Sequence, residues 1–312
     1  MTDVSNLQNV FNAGHFAVCA ELGPPKGTDL EVVRRKAGYL KGHVDAANVT
    51  DNQTAVVRLS SIAVAALLVQ MGLEPVIQMT CRDRNRLAMQ ADLLGAWVLG
   101  IRNVLCLTGD HQSFGNHPTA KNVYDLDSVQ MIQMVRAMGE QGQFQCGDPI
   151  EGEPPRFFVG GAANPFGDPF DFRPLRLAKK VKAGAQFIQT QMIFNVPKFA
   201  EYMKRVRDLG LHEKVYIMAG VGPIKSLGAA KYMASKVPGM DVPDEIVRRM
   251  SDAPKEKRQE EGIQICAEII QQCREIPGVA GVHIMAIEWE ETIPEITKRA
   301  GLLPRPQAIA QN

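Results

Sequence analysis

The chain contains no Cys-x-x-Cys pair: Cys19, Cys81, Cys106, Cys146, Cys266 and Cys273 are scattered along it. That spacing argues against a zinc ribbon or an iron–sulfur cluster held by this chain. Cys19, Cys81 and Cys106 lie in or beside apolar runs, where a free thiol is ordinarily packing material. His111 and His117 share one loop, but no carboxylate–histidine spacing accompanies them, so no metal is expected. An excess of charge of one sign is also missing. The formal net charge is +1, which points away from nucleic acid or an anionic membrane surface as the main partner. The longest apolar run, 62–71, is too short to span a bilayer. Residues 1–6 have neither the basic nor the apolar stretch of a secretion signal, so a cytoplasmic protein is expected. No internal repeat or low-complexity segment is present.

Core-forming material is plentiful, with 45% of the 312 residues hydrophobic and 22% charged. This length could hold two domains, but α/β barrels commonly reach it as one. Short apolar runs alternate with amphipathic stretches. Strands are expected at 16–20, 45–50, 75–80, 103–107, 156–160, 187–191, 215–219 and 282–287. Helices are expected at about 29–41, 57–71, 84–99, 125–139, 172–183, 197–209, 225–236 with 255–276, and 291–300. Continuous apolar runs imply strands buried on both faces, as in a parallel sheet. Eight such units in a row favour a (β/α)8 TIM barrel, a single domain over 1–312, rather than an open doubly wound sheet. An insertion is expected around 237–276, and the tail after 304 is expected to be loose.

Barrel active sites are built at the C-terminal ends of the strands. Reading those ends in order gives Glu21; Asn48, Thr50 and Asp51; Gln78 and Thr80; Thr108, Gly109 and Asp110; Asn164; Gln189 and Gln191; Gly220 and Gly222; and His283. Turns favour Gly, Asn and Asp on conformational grounds alone. Gln and Glu are not turn formers, so Glu21, Gln78 and Gln191 stand out as functional candidates, whereas His283 is read as packing. Glu21 closes an apolar run and is followed by Gly23-Pro24-Pro25, a costly place for a carboxylate without a task. Glu21 and Asp110 together suit general acid–base chemistry. Gln191 offers an amide to a heterocycle edge such as a pterin or flavin. Gly220-Val221-Gly222-Pro223 is either a phosphate-binding turn or simply a tight one. Lys179, Lys180 and Lys182 form either a solvated face or a source of one lysine for a cofactor phosphate.

Five segments in order resemble the 5,10-methylenetetrahydrofolate reductase family, over about residues 10–303: Ala20-Glu21-Leu22-Gly23-Pro24-Pro25-Lys26, Gln78-Met79-Thr80-Cys81-Arg82-Asp83-Arg84-Asn85, Thr108-Gly109-Asp110, Lys180-Val181-Lys182-Ala183-Gly184-Ala185, and Thr190-Gln191-Met192-Ile193-Phe194. The resemblance implies a flavoenzyme of one-carbon metabolism, on the route to methionine, that reduces 5,10-methylenetetrahydrofolate to 5-methyltetrahydrofolate. Glu21 falls on the family's acid for opening the five-membered ring, and Asp110 on the aspartate between flavin and folate. Gln191 falls on the pterin-binding glutamine and Leu227 on an apolar residue lining the substrate pocket. Thr50, Gln78, Thr108, Gly109, Tyr124, Asp125 and Lys180 fall on flavin-contacting positions.

Well-known bacterial members carry Arg at the position of Thr108 and His at that of Gln78. They also have a Tyr-Pro-x-x-His-Pro stretch where this chain reads Ala162-Ala163-Asn164-Pro165, and Asn164 is taken with the cofactor group. FAD is favoured by the resemblance and FMN remains open. The Thr-Gly-Asp and Gly-Pro-Pro-Lys-Gly segments are more similar to the branch of acetogenic bacteria. The implied electron donor is therefore NAD(P)H or a partner iron–sulfur subunit, and an oligomer is expected. The alternatives are a pterin-binding barrel that transfers a methyl group without redox chemistry, and a non-catalytic docking subunit of a redox complex.

Overall fold

The computed structural model describes residues 4–306 except 238. Eight strands run parallel in sequence order: β1 (Ala17–Leu22), β2 (Ala46–Val49), β3 (Pro75–Thr80), β4 (Asn103–Leu107), β5 (Phe158–Ala163), β6 (Phe187–Met192), β7 (Tyr216–Val221) and β8 (Val279–Ile284). The last pairs with the first, through Cys19 opposite His283 and Ala20 opposite Ile284, and closes the barrel. This is a single (β/α)8 TIM barrel, the fold expected from the alternation.

Two apolar layers explain why the strands are hydrophobic on both faces. Outside, side chains such as Val18, Ile77, Val104, Ile188 and Ile217 pack under the surrounding helices. Inside, Ala17, Cys19, Ala46, Val76, Leu105, Phe158, Phe187 and Met218 fill the barrel. The rings of Phe158 and Phe187 stack there at 4.9 Å.

Only β3 and β4 keep the expected bounds; the other strands shift by one to three residues at an end, and at the end of β5 and the start of β8 glycine is the cause. The fifth strand continues through Gly160 and Gly161 because the Phe187 ring takes the space beside Gly160, 2.3 Å from where a Cβ would stand. The eighth strand begins at Val279, three residues before the expected Val282. Its Gly281 lies against β1, with a Cβ position only 2.4 Å from the Ala17 carbonyl oxygen. Both glycines admit a close neighbour within the sheet and do not end a strand.

The short helix α1 (Asn6–Asn12) was not anticipated. It closes the N-terminal end of the barrel with Leu7, Val10 and Phe11, the last stacked on Tyr216 at 4.4 Å. The Glu74 carboxylate holds its first turn, accepting from the backbone N–H groups of Asn6 at 2.6 Å and Leu7 at 3.0 Å. Burial pushes that carboxyl up from its ordinary pKa. On the same face Arg305 donates to Asp45 and to the Phe16 carbonyl. Residues 307–312, the remainder of the tail, lie outside the described residues.

The outer helices that matter to the site are α2 (Leu30–Leu40), α3 (Ser61–Gln70), α4 (Arg86–Val98), α5 (Ser128–Gln141), α6 (Arg173–Lys182), α7 (Val196–Asp208) and α8 (Leu227–Lys236). Asp29 caps α2 by accepting from the Glu31 N–H at 3.0 Å. Between β7 and β8 the chain adds α9 (Asp244–Asp252) and α10 (Arg258–Arg274), followed after β8 by α11 (Ile293–Arg299). The helices α9 and α10 both lie inside the insertion expected around 237–276. Among the described residues, five besides glycine have left-handed backbone: Asn52, Thr54, Ala55, Tyr124 and Glu288. All five are in loops that follow the C-terminal ends of strands, where strained backbone commonly marks a functional face.

Candidate active site at the barrel mouth

Glu21 is the penultimate residue of β1, opposite Asn48 of β2, and its side chain is 13% exposed. Gln78 of β3 donates its amide N–H to Glu21 Oε1 at 3.4 Å. Alternate strands of a barrel contribute side chains to the same layer, which is how these two meet over β2. His283 of β8 brings Nε2 to 3.7 Å from the same Oε1 and is 3% exposed. That approach is longer than a hydrogen bond but within ion-pair range. The other ring nitrogen, Nδ1, is buried without a partner. His283, read from the sequence as packing, is buried as that reading expects and also lies beside Glu21. The sequence signal was available: counting β8 from Val279 brings His283 beside Cys19, which faces the interior.

A second wall is formed by the ends of β2 to β5. Thr50 follows β2 and is 1% exposed, yet its hydroxyl has no hydrogen-bond partner. Thr108 is exposed at the end of β4 and donates to Ser128 Oγ, at the first turn of α5, at 3.2 Å. Gly109 has φ +88°, a conformation that glycine adopts freely. A Cβ on it would stand 3.1 Å from Thr80 Cβ and 3.2 Å from Arg82 Cβ. Asp110 is exposed, and its backbone carbonyl accepts from Arg82 Nη1 at 3.0 Å. Tyr124, at φ +43°, is tied through its N–H to the Cys81 carbonyl at 3.1 Å. Asp125 is engaged by Arg86, whose Nε, Nη2 and backbone N–H all donate to it. Those hydrogen bonds hold its carboxyl down at about 2.

Arg82 and Arg84 were not singled out in the sequence, although both stand in a quoted motif. Arg82 reaches the Asn52 carbonyl as well as that of Asp110, so it ties the loops after β2 and β4 to its own. Arg84 pairs with buried Asp51 at 2.7 Å. Asp51 also accepts from the Thr80 N–H at 2.9 Å and hydroxyl at 3.0 Å. These charges are paired, so burying them stiffens the rim without leaving an orphan.

Lys180 rises from α6 and donates to the Ala162 carbonyl, at the end of β5, at 2.6 Å. Burial, reinforced by nearby Arg176, lowers its ammonium pKa to about 8. Of the three lysines this is the one turned inward, since Lys179 is exposed over the Phe172 ring at 5.8 Å. Asn164 lies one residue beyond β5 and accepts from the Phe166 N–H at 3.2 Å. Gln191 of β6 is half-buried and folds back to accept from the Met192 N–H at 2.9 Å. Leu227 is the half-buried first residue of α8. Gly220 lies within β7, and its N–H is already bonded to Thr190 Oγ1 at 2.8 Å.

Glu21 and Gln78 are thus in contact, while Asp110, Gln191 and Leu227 stand on other parts of the ring. Among the described residues, no group of three or more His, Cys, Asp or Glu side chains is placed to hold a metal ion. None of the described helices is long and apolar enough to cross a membrane.

A closed parallel barrel with a carboxylate, two amides and a buried imidazole at the C-terminal ends of its strands defines the class of (β/α)8 proteins with a mouth-sited polar centre. The chain belongs to the methylenetetrahydrofolate reductase family, whose sequence model matches residues 6–301. A Caenorhabditis elegans protein named "Probable methylenetetrahydrofolate reductase (NADPH)" is 26% identical over 258 residues, covering 80% of this chain and 36% of its own length. "Methylenetetrahydrofolate reductase 2" of Schizosaccharomyces pombe is 26% identical over 263 residues, covering 78% and 38% respectively. The chain therefore spans a little over a third of the length of these relatives. Among solved structures it is similar to an uncharacterized protein from Clostridium thermocellum described as binding two copies of 5-methyl-5,6,7,8-tetrahydrofolic acid. The TM-score is 0.62, with 14% identity and 95% and 99% of the two chains covered. At that identity the likeness concerns the fold.

Proposed function

We propose that this chain binds a flavin and 5,10-methylenetetrahydrofolate at the barrel mouth and reduces the folate to 5-methyltetrahydrofolate. The observation that carries the reading is the Glu21 carboxyl, set at the mouth between Gln78 and His283. Family membership, the names of the relatives and the folate described for the Clostridium thermocellum protein support the same substrate.

The residues present fit a flavin. Thr50 offers a buried hydroxyl with no partner in the chain, the kind of group a ligand satisfies. Gly109 lets the backbone after β4 approach a flat ring closely. Gln78, Thr108, Tyr124, Asp125 and Asn164 line the same arc of loops. Lys180 supplies a cation on the β5 side, suited to a cofactor phosphate. A flavin bound there would supply the hydride that reduces the one-carbon unit.

The chain's own work is binding, orientation and proton delivery. Gln191 exchanges its bond to Met192 for the amide edge of the pterin, and Leu227 packs against the substrate's apolar portion. Glu21 protonates the ring nitrogen that departs when the five-membered ring opens, a general-acid step worth about 10²- to 10⁴-fold. Asp110, exposed at the end of β4, places negative charge where the opened substrate is cationic. The resemblance favours FAD over FMN and a cytoplasmic oligomer. For the donor, the Caenorhabditis elegans relative's name specifies NADPH, whereas Thr108-Gly109-Asp110 resembles the branch of acetogenic bacteria, part of which uses an iron–sulfur partner.

The test is spectroscopic. The purified chain carries a flavin absorbance that dithionite bleaches, and anaerobic methylenetetrahydrofolate restores the colour with one equivalent of 5-methyl product. A colourless chain that binds folate and passes on a methyl group would replace this reading with the non-redox methyltransferase. Adding NADPH in place of dithionite then distinguishes a nicotinamide donor from a protein one.

A further inference from the structure

We propose that Asp241 is a positioning residue for the folate site, clasped to Lys198 so that the loops after β5, β6 and β7 keep one arrangement around the substrate. The inference rests on the reading of the mouth as a folate site and extends it to a residue of the insertion. Asp241 accepts from Lys198 Nζ at 2.6 Å and from Asn195 Nδ2 at 3.1 Å. Lys198 stands in the first turn of α7, and Asn195 caps that helix by accepting from the Lys198 N–H at 3.0 Å. Both partners are thus fixed just beyond β6, the strand that carries Gln191.

The path of the chain shows what the clasp holds. The helix that packs against β7 and β8 is α10, and α9 packs on both α8 and α10. The helix α8 begins at Leu227, beyond β7, and at 1.5 Å per residue it is about 15 Å long. Three residues past its end, Gly239 lies over Asn164, one residue beyond β5. A Cβ on Gly239 would stand 1.9 Å from the Asn164 amide nitrogen, and its φ is +79°. The chain has therefore crossed the rim from the end of β7 to the end of β5, and Asp241 then binds it to the β6 side. Leu227, Ala230 and Met233 recur at a spacing of three along α8 and pack inward, whereas Lys231, Tyr232 and Ser235 are exposed.

Lys198 completes the arrangement from the β5 side. Its Nζ lies 5.6 Å from the centre of the Phe166 ring and 5.7 Å from that of Phe170, both in the loop after β5. The Phe166 N–H in turn donates to Asn164 Oδ1 at 3.2 Å. One ammonium thus meets two rings from the loop after β5, stands on the helix after β6, and binds a carboxylate from the insertion after β7. Burial would raise the Asp241 carboxyl, but the bonds from Lys198 and Asn195 prevail and leave it below its ordinary pKa. Asp241 acts through Asn164, Gln191 and Leu227, the ligand-facing groups of these three loops. Loops ordered beforehand need not be ordered by the substrate, and affinity gains accordingly. Arg82 ties the loops after β2, β3 and β4 in the same way on the flavin side.

The test is a double-mutant cycle on the flavin-loaded chain. Asp241→Ala and Lys198→Met should each raise KM for methylenetetrahydrofolate about fivefold, the range for losing a partly exposed ion pair. The double variant should also stand near about fivefold instead of about 25-fold, because the second change removes a partner already lost. In all three, kcat should stay within about twofold of the unaltered chain, since the reacting groups are untouched. Flavin content should stay near normal, because most groups proposed for it stand on the loops after β2, β3 and β4. If Asp241→Ala fails to fold, Asp241→Asn keeps the shape, removes the charge and takes its place in the cycle. An unchanged KM in the single variants, or a multiplied loss in the double one, overturns the proposal. A lower melting temperature and kcat with KM in place would make the pair merely structural and overturn it too. The dissociation constant of 5-methyltetrahydrofolate is measured on the same proteins. If the unaltered chain binds this folate but reduces none, the proposed function fails while the cycle in that constant still decides the clasp. If it binds none, both fail.

Discussion

Asn48 and Gln189 exchange two hydrogen bonds across the barrel, from Asn48 Nδ2 to Gln189 Oε1 at 2.7 Å and from Gln189 Nε2 to Asn48 Oδ1 at 3.1 Å. They stand on opposite strands, β2 and β6, and both are buried. Each amide donates to and accepts from the other, which ties β2 to β6 across the barrel interior. Asn48→Ala should cost about 1–3 kcal/mol by leaving the Gln189 amide unpaired in the interior. Denaturant unfolding checks this. Flavin content should stay near normal, because both amides are buried and spend their mutual hydrogen bonds on each other.

Thr50 is the opposite case, a buried hydroxyl with nothing to bond. Thr50→Val keeps the shape and removes the orphan. The flavin-free chain should lose no stability, whereas the dissociation constant for flavin should rise about tenfold, the worth of one hydrogen bond of about 1.4 kcal/mol. Thermal melting and flavin titration measure the two quantities separately. A destabilised chain with normal flavin affinity would mean that the hydroxyl serves the fold.

Lys180 makes a pH prediction. Its ammonium pKa is lowered by burial to about 8 in the free chain, and a cofactor phosphate beside it favours the charged form. Binding the anion therefore takes up a proton once pH exceeds about 8, and affinity falls as pH rises further. Below that value the lysine is already charged and affinity is level. Lys180→Met should bind flavin more weakly at pH 7 and lose the decline between pH 8 and 10. Isothermal titration at several pH values checks it, and a decline that persists in the variant would assign the proton elsewhere.

The barrel was legible because two apolar layers make its strands continuous hydrophobic runs, and β3 and β4 were bounded correctly for that reason. The misplaced ends of β5 and β8 share one cause: Gly160 and Gly281 look like stops locally, but their meaning lies in Phe187 and Ala17, distant in sequence. The helix α1 escaped notice because seven residues carry too few periods of hydrophobicity to stand out. At the mouth, Glu21 and Gln78 drew attention as residue types that turns do not explain. His283 did not, since its significance depends on the register that β8 keeps with β1 and β7. Arg82 and Arg84 escaped because their partners, the Asp110 and Asn52 carbonyls and the Asp51 carboxylate, come together only when the loops close.

Asp110 has its backbone fixed by Arg82 while its carboxylate is exposed. Asp110→Asn keeps the shape and removes the charge. The flavin midpoint potential should move to more positive values, because a nearby negative charge disfavours the electron-rich reduced form. Affinity for methylenetetrahydrofolate should fall in the same variant. Redox titration and substrate binding provide the check, and two unchanged values would place Asp110 outside the site.

Glu21 acts on the folate and not on the flavin, and stopped-flow spectroscopy of Glu21→Gln separates the two. The reduction of the bound flavin by an artificial donor should stay within about twofold of the unaltered chain. Its reoxidation by methylenetetrahydrofolate should slow by about 10²-fold or more, the range expected for a lost general acid. Equal losses in both half-reactions, or reoxidation at the normal rate, would contradict the assignment of Glu21 as the proton donor.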